Sequence, residues 1–257
     1  MSHDAHPDVA ALVLAAGMGK RMNSDLAKVL HPMAGQPLLA HVLATLDRLG
    51  VGRRLVVIGH QRERVRAAFA GRDDVEWVIQ AEQRGTGHAC RMAEPALEEF
   101  EGTLLVVCGD TPLLTARTLD ALLRAHQASG AAVTVLSMRL ADPRGYGRIV
   151  RTAGGAGIDR IVEEKDASEA ERRIDEVNSG IYAFAYPALE SVLAALTATN
   201  VQGEYYLTDT VALLRARGRL AAVMCAEDAT ELLGINTVEQ LAEAEDVWRA
   251  RQTGGRT

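Results

Sequence analysis

At 257 residues, 48% of them hydrophobic and only 4% aromatic, the chain is long enough to bury one large aliphatic core, or two small ones, without disulfides. That balance favours parallel sheet and helices over an aromatic-rich β sandwich. A formal charge of −6 argues against nucleic-acid or membrane-surface partners, which need a large basic face, and no run approaches the ~20 apolar residues of a membrane span.

The start, residues 1–8, lacks a cationic segment followed by an apolar stretch of signal-peptide length. An apolar strand is expected over 9–15, running into a glycine loop. A helix over 37–49 has Pro37 in its first turn and Gly50 past its end. A strand at 54–58, a helix at 62–69 and a strand at 75–79 follow. After the turn Gly85-Thr86-Gly87, a helix is predicted to run to about Phe100, then a strand over 103–108 ending at Gly109-Asp110.

This βαβα alternation implies parallel strands joined by right-handed crossovers, with ligands gathered outside the carboxyl ends of the strands. The glycine loop, the Gly85 turn and Asp110 all follow strands, so they are expected along one rim. A helix at 115–129 and a strand at 132–140 complete this part. Short strands at 148–151, 158–164 and 177–184 then predict a more mixed β region. Helices are predicted at 187–196 and 208–217, a strand at 221–225 and a final helix at 238–251, with 252–257 frayed. Three cysteines, Cys90, Cys108 and Cys225, lack C-x-x-C spacing and lie in apolar stretches, which predicts buried, reduced thiols and a cytosolic protein.

The stretch Leu12-Val13-Leu14-Ala15-Ala16-Gly17-Met18-Gly19-Lys20-Arg21-Met22, with Lys28 close behind, is the most informative. Glycines let backbone N–H groups approach an anion, and the cations supply the charge a polyphosphate demands. It is not a Walker A loop, which needs G-x-x-x-x-G-K-[S/T]. Nor is it a full dinucleotide fingerprint, because Met22 stands where the third glycine of G-x-G-x-x-G would allow close helix packing. A phosphate-binding turn of another kind is expected.

The loop resembles the signature of sugar-phosphate nucleotidyltransferases, and further stretches in the family's order extend the resemblance over nearly the whole chain. They are Ser24-Asp25-Leu26-Ala27-Lys28, Gln80-Ala81-Glu82-Gln83-Arg84-Gly85-Thr86-Gly87-His88, Gly109-Asp110-Thr111-Pro112, Gly145-Tyr146-Gly147-Arg148, Val162-Glu163-Glu164-Lys165, Asn178-Ser179-Gly180, Gln202-Gly203-Glu204-Tyr205-Tyr206-Leu207-Thr208-Asp209 and Gly234-Ile235-Asn236. Within that family, the pattern is most similar to the uridyltransferase half of bacterial N-acetylglucosamine-1-phosphate uridyltransferases. The hexapeptide repeats that carry acetyltransferase activity in longer relatives are absent from this sequence. The resemblance implies a Rossmann-like α/β fold, with a mostly parallel central sheet flanked by helices and a smaller mixed β part. One domain over 8–251 is expected, with a nucleotide-binding part at 8–140, a sugar-binding part at 141–236 and a C-terminal helix at 238–251.

The implied reaction joins UTP and N-acetylglucosamine 1-phosphate with Mg²⁺, and both substrates are anions. Neutralising them is work for fixed cations, backbone N–H groups and metal. The resemblance gives Arg21 and Lys28 that task, while Lys20, at a variable position, is expected to face solvent. Leu14, Ala15, Ala16, Gly17, Gly19, Lys28, Gly109 and Asp110 would help hold the nucleotide. Asp110, at a strand end, can project a carboxylate towards a hard cation, and the family's second metal oxygen falls on Asn236. Capping roles are the plain alternatives for these two.

Gln80 with Gly85 and Thr86 is expected to read the base, since an amide can both donate and accept against uracil. From residue type alone Gln83 would serve equally, and the resemblance favours Gln80. For the sugar, the resemblance carries over Gly147, Glu163 and Asn178, with Tyr205 near the acetamido group and Lys165 on the sugar's phosphate. Glu164 is expected on the same strand as Glu163, facing the other way. The histidines are not spaced as a metal site, and no base is needed because the attacking phosphate is already ionised.

Three alternatives stay open on the sequence. Glucose 1-phosphate enzymes share the loop but commonly lack the stretch at 202–209. Cytidylyltransferases for sugar-like phosphates share it too, against the matches at 145–148 and 178–180. Non-catalytic regulatory subunits arise from this fold when cations or metal ligands are lost, whereas Arg21, Lys28, Asp110 and Asn236 are all present. Oligomeric state is left open.

Overall fold

The computed structural model describes residues 5–22, 24–155 and 157–254. The expectations for residues 1–4 and 255–257, and for the Lys20 side chain, lie outside them. In chain order the elements are β1 (His6–Leu14), a short hairpin of β2 (Pro32–Met33) and β3 (Gln36–Pro37), α1 (Leu38–Leu49), β4 (Val51–Ile58), α2 (Arg62–Ala68), β5 (Val75–Ile79), α3 (Thr86–Ala93), β6 (Thr103–Cys108), α4 (Ala116–Ser129) and β7 (Val133–Arg139). Then come β8 (Arg148–Arg151), β9 (Ile158–Val162), α5 (Glu169–Arg172), β10 (Glu176–Ala185), α6 (Tyr186–Leu193), α7 (Asp209–Ala216), β11 (Ala221–Cys225) and α8 (Val238–Gly254).

The main sheet has the order β11-β7-β10-β6-β1-β4-β5, with the β8–β9 hairpin joined to β10. β6, β1, β4 and β5 are mutually parallel, as the βαβα alternation requires. β10 runs antiparallel between β6 and β7. Along β1 the side chains alternate between two cores. Ala11 and Val13 face α1 and α4, whereas Ala10 and Leu12 face α3, α6 and α7. Leu12 is fully buried, and such a side chain contributes about 1.5–3 kcal/mol of hydrophobic free energy.

Helix limits follow local chemistry. α1 stops at Gly50, whose left-handed φ of 72° lets its N–H reach the Leu46 and Asp47 carbonyls. α4 begins where the Thr115 hydroxyl accepts from Thr118 N. α3 starts at Thr86, so Gly87 lies inside it, and it ends at Ala93 rather than near Phe100. A 3₁₀ turn over Glu94–Leu97 takes over there, with Pro95 unable to donate into a continuing helix. β9 ends at Val162, not Glu164, because the chain turns as Asp166 N donates to Glu163 O at 3.0 Å. Of the cysteines, all free, Cys90 is buried and Cys108 half-buried, but Cys225 is exposed at the end of the edge strand β11. Among the described residues no helix is long and apolar enough to cross a membrane.

Candidate active site

The carboxyl ends of four strands are stitched into one rim. Gln80 N donates to Ile58 O at 2.8 Å, Ala15 N to Val57 O at 2.9 Å and Gly109 N to Leu14 O at 2.9 Å. A cavity of about 340 Å³ opens at this rim. Its wall contains Leu14, Ala15, Ala16, Gly17, Lys28, Gln80, Gly85, Thr86 and Asp110, so it gathers most of the residues expected to hold a nucleotide. Gly19 packs against Lys28, and Gly109 against Ala15 and Val29. A Cβ at Gly19, whose φ is +62°, would lie 2.6 Å from the Lys28 Cβ, so this glycine lets the loop fold against Lys28.

The loop does not lead into an α-helix. It closes with Met22 N donating to Gly19 O at 2.9 Å and a 3₁₀ turn over Lys20–Met22. Met22, 2% exposed, packs with Met33, Leu38, Leu113 and Ile235 in a third core that α8 covers through Ala244. The residue in the third-glycine position is therefore a hydrophobic anchor. Arg21 is exposed, with no hydrogen bond or ion pair among the described residues, and close enough to Tyr146 for its charge to act on that phenol.

Lys28, Asp110 and Asn236 converge from three distant parts of the chain. The Lys28 ammonium bonds Asp110 Oδ2 and donates to Asn236 Oδ1 at 3.0 Å. Asn236 is braced by its Nδ2 on Gly234 O at 3.1 Å, and Ile235 N donates to Asp110 O at 2.9 Å. Neither residue serves as a helix cap. Thr115 caps α4, and the Thr237 hydroxyl accepts from Gln240 N at the start of α8. One carboxylate oxygen and one amide oxygen thus meet at a point now taken by a cation. Two hard oxygens suit Mg²⁺, which is commonly held by one or two protein groups plus substrate phosphates and water. No cluster of three or more His, Cys, Asp or Glu that could hold a metal occurs among the described residues.

On the other wall, Gln80 is 3% exposed. Gln83 donates its Nε2 to Gln80 O at 3.2 Å, so it acts as a brace, although it also reaches the cavity. The segment carrying Glu204 and Tyr205 lies over the Gly85 turn: Tyr205 N donates to Arg84 O, and Gly87 N to Tyr205 O, both at 2.8 Å. Gly85, with φ 104°, permits this approach, since a Cβ there would stand 2.5 Å from the Tyr205 carbonyl oxygen. Thr86 Oγ1 accepts from Leu207 N at 3.0 Å.

Gly147, Glu163 and Asn178 form a second group. Asn178 N donates to Gly147 O at 2.8 Å, and a Cβ on Gly147 would be 3.5 Å from the Glu163 carboxylate. Asn178 donates to the Tyr182 hydroxyl at 2.7 Å and accepts from Gly180 N at 3.1 Å. Glu163 accepts from Thr208 Oγ1 at 3.1 Å. Burial raises its pKa above the ordinary carboxylate value, the Thr208 bond lowers it, and Asp209, Asp166 and Glu204 push it further up.

Two residues expected near this group make other contacts. Tyr205 is packed beside the Gly85 turn, under Arg84 at 5.1 Å and Arg91 at 4.5 Å from its ring centroid. Lys165 is exposed and donates to Gln202 Oε1 at 2.9 Å. Glu164 lies beyond the strand on which it was expected and pairs at 2.6 Å with Arg148, which is 1% exposed. Residue type alone did not single out Met18, Val29, Ala89, Cys108 and Glu204, which also line the cavity, nor Thr208. Glu204 and Thr208 sit inside the 202–209 stretch that carried part of the resemblance, which is the signal that pointed to them.

The profile of the MobA-like NTP transferase domain matches residues 11–148. The chain is similar to "Bifunctional protein GlmU" of Heliobacterium modesticaldum, 51% identical over 94% of this chain and 52% of that protein. It is likewise similar to the proteins of the same name from Pelobacter propionicus, 47% identical over 95% of this chain and 53% of that protein, and Thermobifida fusca, 49% identical over 94% and 51%. The chain spans about half the length of the curated relatives it matches. With the profile covering the glycine loop, Lys28, Gln80, Gly85 and Asp110, the chain belongs to the MobA-like NTP transferase domain family.

Proposed function

We propose that the chain transfers the uridylyl group of UTP to N-acetylglucosamine 1-phosphate, giving UDP-N-acetylglucosamine and pyrophosphate. The observation that carries the reading is the meeting, at one strand rim, of the glycine loop, the Gln80–Gly85 wall and the Lys28–Asp110–Asn236 cluster, with Gly147, Glu163 and Asn178 grouped separately. The 8–140 part would hold the nucleotide and the 141–236 part the sugar. An ionised oxygen of the sugar phosphate attacks the α-phosphorus, a new P–O bond forms, and the bond to the β-phosphate oxygen breaks with its electron pair leaving on pyrophosphate. No residue needs to remove a proton.

Loop N–H groups and Lys28 would hold the α-phosphate oxygens, and Arg21, unpaired among the described residues and exposed, is free to meet the departing pyrophosphate. Asp110 and Asn236 are the residues that would hold Mg²⁺, which when bound would supply charge neutralisation of the phosphates. Lys28 would leave its place between Asp110 and Asn236 as the nucleotide arrives. Glu163 and the remaining donor proton of Asn178 would take the sugar hydroxyls. Tyr205 supports the base wall, and Lys165 is proposed for the sugar's phosphate only if it leaves Gln202.

A pyrophosphate-release assay over a matrix of nucleoside triphosphates and sugar 1-phosphates tests the assignment. UTP with N-acetylglucosamine 1-phosphate is expected to be the best pair. Preference for CTP, or for glucose 1-phosphate by more than roughly tenfold in kcat/KM, about 1.4 kcal/mol, would sink it.

The two adjacent glutamates separate sugar binding from stability. Glu163→Ala is expected to cut kcat/KM for the sugar phosphate roughly ten- to a hundredfold with UTP affinity nearly unchanged. Glu164→Ala should act instead on the fold, because it strips the partner from a buried guanidinium, which among the described residues retains only the Tyr146 and Arg172 carbonyls. Since Glu164 itself is partly exposed, a loss of about 1–3 kcal/mol is expected. Thermal melts and steady-state kinetics on both variants check this. A stability loss in Glu163→Ala with normal kinetics would reverse the roles.

A further inference from the structure

Gln80 meets the cavity with an amide whose two ends have opposite hydrogen-bonding character, so the end that faces the ligand dictates what a base edge must offer. Its Nε2 stands 3.0 Å from the Gly85 carbonyl oxygen and 3.0 Å from His88 Nδ1. A carbonyl can only accept, so the nitrogen end is turned into the protein. The second Nε2 proton then goes to the His88 ring, whose Nδ1 must carry a lone pair and whose Nε2 carries the hydrogen. Oε1 has no partner among the described residues and is left for the ligand.

The surroundings hold both partners in place. The Gln80 backbone is tied at both ends, its N–H to Ile58 O and its carbonyl to Gln83 Nε2. Gly85 is pressed against the Tyr205 backbone. The His88 ring lies beside that of Tyr205, centroids 6.3 Å apart, with Arg84 and Arg91 over the tyrosine. Burial, and then the charges of Arg84 and Arg91, lower the His88 pKa against the opposing pull of Glu82, which favours the neutral ring.

We infer that His88 is a specificity-determining positioning residue: by accepting the second Nε2 proton of Gln80 it presents Oε1 to the cavity. The site then takes a pyrimidine whose ring nitrogen carries a hydrogen, as uracil does. It turns away one whose ring nitrogen is bare, as in cytosine, because two acceptors would face each other. The inference rests on the uridylyl reading above and adds the group that enforces it.

The test compares the full chain with His88→Leu and His88→Asn, using UTP and CTP with N-acetylglucosamine 1-phosphate. In His88→Leu the amide loses one of its two anchors, and the UTP:CTP ratio of kcat/KM is expected to narrow roughly tenfold, mostly through KM. His88→Asn places an amide oxygen near the position of Nδ1 and is expected to keep the ratio within about twofold of the parent, a rescue that a role in packing alone would not produce. Long-range proton–nitrogen spectra of the unmutated chain at neutral pH should show His88 as the Nε2–H tautomer. An unchanged ratio in folded His88→Leu, or an Nδ1–H tautomer, would overturn the inference, and the spectrum decides the matter if the leucine variant does not fold. An unmutated chain that turns over neither nucleotide with this sugar phosphate would count against the uridylyl reading, while the tautomer still reports on the Gln80–His88 bond without any substrate.

Discussion

Asp110→Asn is expected to lower turnover by a factor on the order of 10² or more while leaving the fold intact. The substitution keeps the side-chain shape at the end of β6 but removes the only carboxylate of the Lys28–Asp110–Asn236 cluster. What is lost is charge where, in the proposed reaction, two polyanionic substrates are brought together. The backbone bond from Ile235 N to Asp110 O does not involve the side chain and should survive. Because Asp110 is proposed to hold metal against phosphate, raising Mg²⁺ should recover part of the activity. Near-normal turnover of the purified variant at low Mg²⁺ would remove Asp110 from the metal assignment.

Lys28→Met should fall at least as far, roughly 10²–10³ in kcat/KM. Methionine preserves most of the apolar stem that packs against Gly19, so the effect reads the ammonium rather than the loop. Here extra Mg²⁺ is not expected to help, since the missing charge belongs to the wall proposed to meet the α-phosphate. The two variants therefore differ in metal response as well as in rate. Rescue of Lys28→Met by Mg²⁺ to within about tenfold of the parent would show that its ammonium only balances Asp110.

The elements with strong local signals were readable from residues alone. Strands β5, β6, β8 and β11 occur at the limits their apolar runs predict, and Gly50 and Thr115 bound α1 and α4 as glycine and threonine chemistry requires. The β2–β3 hairpin was not foreseen: its turn places Ala34 at φ 49° and Gly35 at φ 81°, and alanine is not the Asn or Asp that usually marks such a turn. The neighbours of β10 were illegible for a different reason, since strand pairing is set by packing across the sheet and not by any pattern inside residues 176–185. In the site, glycine loop and strand-end aspartate announce their chemistry locally. Asn236 stands 208 residues from Lys28, and only the resemblance brought the two together before the fold did. Glu163 and Glu164 have different partners, Thr208 and the buried Arg148, and a turn rather than the expected strand alternation separates them.

The place of β10 also bears on how the molecule can be assembled. Tyr182 pairs with Val106 on β6 and with Val135 on β7, so the middle of the sheet is filled by chain made well after both of its neighbours. Until residue 185 has left the ribosome, the apolar edge of β6 has no partner and is open to pairing with other chains. A fragment cut at residue 148, where the family profile ends, would carry the glycine loop, Lys28, Gln80 and Asp110 yet retain that bare edge. The segment that carries the glycine loop, Lys28, Gln80 and Asp110 is thus made early but completed late. Its folding waits on a long loop closure, which favours slow assembly and dependence on chaperones over autonomous folding of residues 11–148.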